Sequence, residues 1–174
     1  MPYTFNEHLH NYAVWAAARA VARNFTNTAN VKSAIEKTEL RSLLDSNEKF
    51  TIASFDQFHR ETAGKIIAHF KYIDKGLEEK ASYGRAAKII AIYIKTAIVI
   101  RDSGMSNLAR IAHPPIDRIL LTNASRKHEN LGLTTYNWTQ LSEGEYFELV
   151  KKLRTIEFES FWELERYWLP TQAE

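Results

Sequence analysis

The chain of 174 residues contains no cysteine, only four prolines and only six glycines. The lack of cysteine excludes a disulfide scaffold, a zinc ribbon and a cysteine nucleophile, and it agrees with a reducing compartment. Scarce proline and glycine argue against a loop-rich or all-β chain with many tight turns. These absences favour a chain built from long regular elements.

Long hydrophobic runs are also lacking, and the opening residues do not have the pattern expected of a signal peptide. The most apolar stretch, residues 89–100, is interrupted by Lys95 and is too short to span a bilayer. The first ten residues include Glu7, His8 and His10 in place of a basic segment followed by an apolar one. We therefore expect a cytoplasmic protein with no membrane partner.

The residues that are present have an average globular composition and a weak charge bias. Hydrophobic residues make up 45% of the chain and charged residues 25%, which suits one domain with a real core. The net charge is only +2, which permits a polyanionic partner without requiring one. We predict a single helical domain over residues 1–174. Because the net charge is small, the kind of partner has to be inferred from where the charged residues lie.

Hydrophobic side chains recur at helical spacing in several stretches, which predicts an all-α chain without strands. Most of these stretches follow a residue that commonly caps a helix N-terminus. The predicted helices cover about residues 7–24, 31–44, 55–75, 83–101, 117–124 and 143–168, with caps at Asn6, Ser54, Ser82, Asp117 and Ser142.

The predicted helix from about Tyr83 to Arg101 is apolar on nearly every face. A helix that is hydrophobic all round is normally the buried centre of its domain. The sequence therefore predicts a compact single-domain bundle arranged around residues 83–101.

Two charged side chains stand out because of where they fall in these helices. Lys88 lies on the mostly apolar central helix, and a desolvated lysine has a lowered pKa and acts as a nucleophile that forms Schiff bases. Asp117 follows Pro114-Pro115 and caps the next predicted helix, where backbone N–H groups favour the ionised carboxylate. Such a carboxylate stabilises positive charge or activates a water.

A basic face accompanies Lys88 on the central helix. Arg85, Lys88 and Lys95 follow one another at spacings that place them on the same side of a helix. The start of this helix, at Gly84, exposes backbone N–H groups that suit a phosphate. This arrangement is typical of contact with a nucleic-acid backbone.

At these residues the chain resembles the helix-hairpin-helix DNA glycosylases, the superfamily of endonuclease III, the mismatch adenine glycosylase and the 8-oxoguanine glycosylases. Their hairpin reads Gly-x-Gly-x-Lys at a helix start, which residues 84–88 match except that Ala86 replaces the second glycine. Their Pro-Val-Asp motif opens an apolar helix, which Pro115-Ile116-Asp117 matches. The nearest comparison is with divergent minimal members, such as the compact archaeal-type 8-oxoguanine glycosylases with an aberrant hairpin.

The resemblance covers roughly residues 83–121, under a quarter of the chain. Lys88 and Asp117 are 29 residues apart, which is a longer separation than the family usually shows. The cysteine set of the iron–sulfur branch is absent from the sequence, so that branch is excluded.

The resemblance implies a DNA glycosylase that flips a damaged or modified base out of double-stranded DNA and excises it, leaving an abasic site. Oxidised guanine and a hypermodified phage-type base both remain open as targets. The resemblance makes Lys88 the Schiff-base nucleophile and Asp117 the catalytic carboxylate of a monomer that needs no metal or cofactor. The expected DNA contacts are Gly84, Arg85, Lys95, Arg126 and Lys127, and the expected base pocket is formed by His113, Tyr136 and Trp138.

A function of a different class also remains open, namely a non-catalytic helical interaction module such as a toxin–antitoxin or phage-defence component. Under that hypothesis the aromatic residues of the last helix form a partner surface. Lys88 is then a lysine whose stem covers apolar surface, and Asp117 is a structural cap.

Overall fold

The structure is a computed structural model that describes residues 2–46 and 49–169. Across these residues the chain is helical and contains no strand, which confirms the all-α prediction. The α-helices are α1 (Phe5–Val21), α2 (Thr28–Ile35), α3 (Ile52–Ile73), α4 (Tyr83–Ile94), α5 (Asn107–Ile111), α6 (Arg118–Ser125) and α7 (Glu143–Leu153). Short 3₁₀ helices lie at Arg41–Leu44, Lys75–Leu77, Glu129–Leu131, Leu133–Thr135 and Phe161–Tyr167.

α4 is the buried centre of the fold, as its composition predicts. The Ser82 side chain caps it by accepting a hydrogen bond from the Arg85 N–H at 3.2 Å. Helices α1, α3 and α7 pack around α4, and Ile89, Ile90 and Tyr93 have no exposed surface. No helix in the described parts of the chain is long and apolar enough to cross a lipid bilayer.

The central helix does not continue to residue 101 as a regular α-helix. After Ile94 the backbone widens into a π-helical segment, Lys95–Val99, in which the Ile100 N–H donates to the Lys95 carbonyl at 2.9 Å. Such segments recur at functional sites, because the extra residue changes which side chains share a helix face.

Two predicted helix starts are wrong because several capping residues lie close together. Thr4, and not Asn6, caps α1, since the Thr4 hydroxyl accepts from the Glu7 N–H at 3.1 Å. Thr51 caps α3, and Ser54 is its partner three residues on in a reciprocal capping box. The capping chemistry was predictable, whereas the choice between neighbouring candidates was not.

The second and last predicted helices are shorter than their hydrophobic patterns suggest. α2 ends at Ile35, and residues up to Leu44 form turns and a 3₁₀ helix. The predicted capping box of Ser142 and Glu145 is present, but α7 ends at Leu153. Phe161, Trp162 and Tyr167 belong to a separate 3₁₀ helix, because tertiary packing overrides helix propensity there.

A buried hydrogen-bonded network joins α3, α4 and α7 to the segment before α6. Its members are Arg154, Asp56, His113, Tyr146, His59 and Tyr83. Arg154 donates to both oxygens of Asp56, at 2.6 and 2.7 Å, and His113 Nε2 lies 2.9 Å from Asp56. The Tyr146 hydroxyl lies 3.0 Å from His113 Nδ1.

The inner end of the network continues from Tyr146 to His59 Nε2, at 3.4 Å, and from His59 Nδ1 to the Tyr83 hydroxyl, at 2.9 Å. One arrangement of protons satisfies the four bonds that join the histidines to Tyr83, Tyr146 and Asp56: each tyrosine donates to a histidine Nδ1, and each histidine Nε2–H donates to the next acceptor. Arg154, which also lies 3.0 Å from His113 Nε2, then donates to Asp56 and not to the histidine. In this arrangement both histidines are neutral. Hydrogen-bonded in this way, they are buried without an unsatisfied polar atom.

We expect this network to make the fold sensitive to acid. Burial lowers the pKa of His113 and holds the pKa of His59 well below its usual value, because desolvation disfavours the imidazolium ion. The unfolded chain takes up these protons near pH 6.5, so the stabilisation is fully present above that pH and declines below it. At pH 5 the loss is about 2 kcal/mol for a histidine that stays neutral.

The measurement is urea unfolding at pH 7.5 and pH 5. The exposed His8 provides the control, since His8→Gln should leave the acid loss unchanged. His59→Gln should lose less of its remaining stability on acidification than the parent chain does. The same free energy of unfolding at both pH values would contradict this account of the network.

Candidate functional site

The two side chains singled out by the sequence meet in the structure. Lys88 Nζ donates to Asp117 Oδ2 at 2.8 Å, across a separation of 29 residues. Lys88 is 5% exposed, and the Asp117 side chain keeps 16% of its surface exposed. The pair therefore lies just beneath the protein surface, with Asp117 as its more accessible member.

The first turn of α6 fixes the Asp117 carboxylate. Its Oδ1 accepts from the Leu120 N–H at 3.0 Å and so caps the helix. Its Oδ2 accepts from Lys88 and from the indole Nε1 of Trp168, which lies 3.0 Å away. Because one oxygen holds the helix, the other is held toward the lysine.

Burial dominates the electrostatics of Lys88. Desolvation lowers the pKa of Lys88, whereas the negative charge of Asp117 and, to a smaller extent, of Glu165 raises it. The effect of desolvation is larger, so the pKa of Lys88 is lowered. A lysine with a lowered pKa gives up a proton more readily than an exposed one and becomes a nucleophile. The site thus combines a potential nucleophile with a carboxylate at hydrogen-bonding distance.

Two tryptophans flank this pair. Lys88 Nζ lies 5.5 Å from the ring centre of Trp138, while the indole N–H of Trp168 donates to Asp117 and Trp168 is itself 38% exposed. Trp138 also borders a groove of about 540 Å³, together with Tyr136 and Arg118. This volume lies within the range of small-molecule sites.

A second lysine–carboxylate pair adjoins the first. Lys95, at the start of the π-helical segment, forms an ion pair with Glu165 of the last 3₁₀ helix. Burial raises the pKa of Glu165, although the neighbouring lysines lower it in part. Lys95 Nζ lies 5.1 Å from the centre of the Trp168 ring, so this tryptophan contacts both ion pairs.

The predicted phosphate contacts fall into two groups. Arg85 and Lys95 are engaged within the protein: Arg85 donates to the Lys80 carbonyl at 2.7 Å, and Lys95 pairs with Glu165. Arg126 and Lys127 are exposed after α6, and their side chains have no hydrogen-bond or ion-pair partner among residues 2–46 and 49–169. In this conformation the second group is the one that is free to meet a phosphate.

Gly84 has a packing role, which corrects the expectation of a helix start that is open to phosphate. Its N–H donates to the Leu141 carbonyl at 3.2 Å, and an added Cβ would lie 1.8 Å from the carbonyl oxygen of Trp138. The absence of a side chain allows residues 138–141 to approach α4. Gly84 therefore helps to place Trp138 beside Lys88.

The residues predicted for a base pocket are only partly brought together. Tyr136 and Trp138 both line the groove, and the Tyr136 hydroxyl donates to Glu148 at 2.7 Å. His113 is 3% exposed, and both of its ring nitrogens are bonded within the buried network. The expectation for His113 is corrected accordingly, because no ring nitrogen is left to contact a base.

Sequence reasoning missed Trp168 and Glu165. Trp168 was predicted only as one of the aromatic residues of a long last helix, and Glu165 was not singled out. Their partners are 51 and 70 residues away along the chain, so no local spacing signals either contact. The spacing of Glu165 and Trp168, three residues apart, is too common to indicate a functional site.

We predict that the two members of the Lys88–Asp117 pair contribute unequally to stability. Asp117→Asn keeps a capping residue but removes the one carboxylate that contacts the buried ammonium, which should cost about 3 kcal/mol. Lys88→Met leaves Asp117 with the Leu120 N–H, the Trp168 indole and partial solvent exposure, and should cost about 1 kcal/mol or less.

Urea unfolding of the two single variants and the double variant measures this difference. The double variant Lys88→Met/Asp117→Asn should recover most of the stability that Asp117→Asn loses, because no uncompensated charge remains. Equal losses in the two single variants, without recovery in the double variant, would contradict the asymmetry.

Comparisons with known proteins do not assign a function to this site. No protein-family model, curated protein or solved structure matches the chain. Within the described residues, no three histidine, aspartate or glutamate side chains are grouped so that they would hold a metal ion. The resemblance to DNA glycosylases therefore rests on the motif residues and on the chemistry that their arrangement permits.

Proposed function

We propose that this chain is a DNA glycosylase that excises a damaged or modified base after flipping the nucleotide out of double-stranded DNA. The observation that carries the proposal is the 2.8 Å contact between the buried Lys88 amine and the Asp117 carboxylate. Base excision through a covalent intermediate requires an amine with a lowered pKa and a group that handles its proton. This pair supplies both.

Lys88 must lose a proton before it attacks C1′ of the flipped nucleotide. Asp117 Oδ2 lies where it can take that proton and pass it to the departing base. The new bond joins Lys88 Nζ to C1′, while the bond from C1′ to the base breaks and the base leaves with its electron pair. The second proton on the nitrogen moves to O4′ as the bond between C1′ and O4′ breaks, which opens the sugar ring and gives the Schiff base. Water then hydrolyses the Schiff base to the abasic site and restores the Lys88 amine.

The surroundings of the pair suit an extruded base. Trp138 presents an aromatic face to Lys88, and Trp168 presents its N–H edge to Asp117 and a face to Lys95. Flipped bases are held by such faces. The groove beside Trp138 provides space, and Arg118 at its edge is exposed. With Arg126 and Lys127 at the other end of α6, Arg118 supplies positive charge for the phosphates.

The test is incubation with a panel of duplex oligonucleotides, each carrying one modified base, followed by alkaline cleavage at abasic sites. The panel includes 8-oxoguanine, other oxidised bases and hypermodified pyrimidines of the phage type. Cleavage of at least one modified duplex, with none of the matched unmodified duplex, is the expected result. No abasic site with any duplex is the result expected of a non-catalytic interaction module, and it would count against excision.

A further inference from the structure

One face of α1 is exposed along its whole length and carries aromatic and basic side chains without a carboxylate. We call it the α1 stripe; its members within the helix and the following turn are Phe5, His8, Tyr12, Trp15, Arg19 and Arg23. The steps of three and four residues place them on one side of the helix. The opposite side of α1 packs against α2 and α4, so the stripe is not needed to fill the core.

Tyr12 and Trp15 form a stacked pair at the middle of this stripe. Their ring centres are 5.5 Å apart, with 24° between the ring planes. The two residues are 56% and 51% exposed, and Phe5 at the start of the helix is 70% exposed. Large aromatic side chains held at the surface in one row are characteristic of a binding surface.

The two arginines at the end of the stripe are free to bind an anion. Arg19 and Arg23 are exposed, and neither side chain has a hydrogen-bond or ion-pair partner in the portion of the chain that the structure describes. Glu7, the one acidic residue of α1, lies off this face and pairs with Arg41. A guanidinium without a carboxylate partner is well suited to a phosphate.

We propose that the α1 stripe binds single-stranded nucleic acid, with bases stacked on Tyr12 and Trp15 and phosphates held by Arg19 and Arg23. Base faces are open to aromatic side chains in a single strand, whereas in a duplex they are covered by neighbouring pairs. From Phe5 to Arg19 the stripe extends about 21 Å, at 1.5 Å per residue. That length suits a site of several nucleotides, as is usual for surfaces that bind single strands.

This surface is distinct from the Lys88–Asp117 pair and needs no chemistry there. Positive charge at one end of an aromatic row favours a polyanion with flat groups over an apolar protein partner. The stripe would hold an unpaired strand beside the DNA on which excision takes place, or hold such a strand with no excision at all.

The experiment is fluorescence anisotropy with a labelled oligothymidylate of about twelve nucleotides and a labelled hairpin duplex. Tyr12→Ala and Trp15→Ala should each weaken binding of the oligothymidylate by about fivefold or more, with little effect on the hairpin. Arg19→Gln and Arg23→Gln should each reduce the slope of log affinity against log salt by about 0.7. Circular dichroism and thermal melts establish that these surface variants fold.

Matched controls lie on α3, where Tyr72 is 87% exposed and Lys71 is exposed beside it. Tyr72→Ala and Lys71→Gln should bind the oligothymidylate as the parent chain does. The oligothymidylate carries no modified base, so its binding is measured without excision, which separates the proposal from the fate of the excision hypothesis. The proposal is overturned if the parent chain does not bind the oligothymidylate, or if the stripe variants bind as the parent does. It is equally overturned if the α3 controls lose as much affinity.

Discussion

Lys88→Gln and Asp117→Asn should each reduce base excision by about a thousandfold or more under single-turnover conditions. Glutamine cannot form a Schiff base, and asparagine cannot carry the proton that Lys88 must release. The measurement is the first-order rate of abasic-site formation with the protein in excess, so that weaker DNA binding does not limit the rate. The control is Lys65→Gln, which removes an exposed lysine paired with Glu39 on another part of the surface.

The two variants test the role of Asp117 in proton transfer separately from the role of Lys88 as the nucleophile. If Asp117→Asn excises within tenfold of the parent chain, Asp117 is a structural cap and the proposed proton transfer is wrong. If only Lys88→Gln retains activity, a water activated by Asp117 is the nucleophile, and the Schiff-base assignment is wrong. Because Asp117→Asn is expected to be less stable, the assay is run well below its melting temperature.

Gly84→Ala should destabilise the protein by about 3 kcal/mol and displace Trp138 from Lys88. The added Cβ would lie 1.8 Å from the carbonyl oxygen of Trp138, which is a main-chain atom, so no flexible side chain can yield. Residues 138–141 must then move away from α4, with the loss of the hydrogen bond between Gly84 and Leu141. Urea unfolding measures the stability, and tryptophan emission reports the displaced indole.

Gly64 provides the matched control for this substitution. It lies within α3, is exposed, and has no atom within 4 Å of an added Cβ. Gly64→Ala should therefore stabilise the protein by about 0.5–1 kcal/mol, because alanine favours a helix interior over glycine. Similar changes in stability at the two glycines would contradict the close approach between Gly84 and the Trp138 carbonyl.

The parts of the fold that sequence predicted well are those fixed by local interactions. The caps at Ser82, Asp117 and Ser142 bond backbone groups three residues away, and a continuous apolar run marks the buried α4. Where the interactions are distant, the prediction was wrong. The helix expected to reach Trp168 ends at Leu153, because the following aromatic residues pack in another direction.

In the candidate site, too, local features were predicted from the sequence and distant contacts were not. Lys88 and Asp117 were nominated from their positions at helix starts, but their contact depends on how α4 and α6 lie in the fold. Trp168 and Glu165 reach the site from the far end of the chain, so no spacing indicated them. His113 was expected to line a base pocket, yet its bonds lead inward to the buried network.

The most direct measurement for the central claim is reductive trapping on a duplex that already contains an abasic site. This substrate presents the aldehyde that a Schiff-base lysine captures, whatever base the protein removes. With borohydride, the account predicts a covalent protein–DNA adduct that peptide mapping assigns to Lys88 and that Lys88→Gln abolishes. The absence of an adduct, or an adduct on another lysine such as Lys95, would contradict Lys88 as the nucleophile.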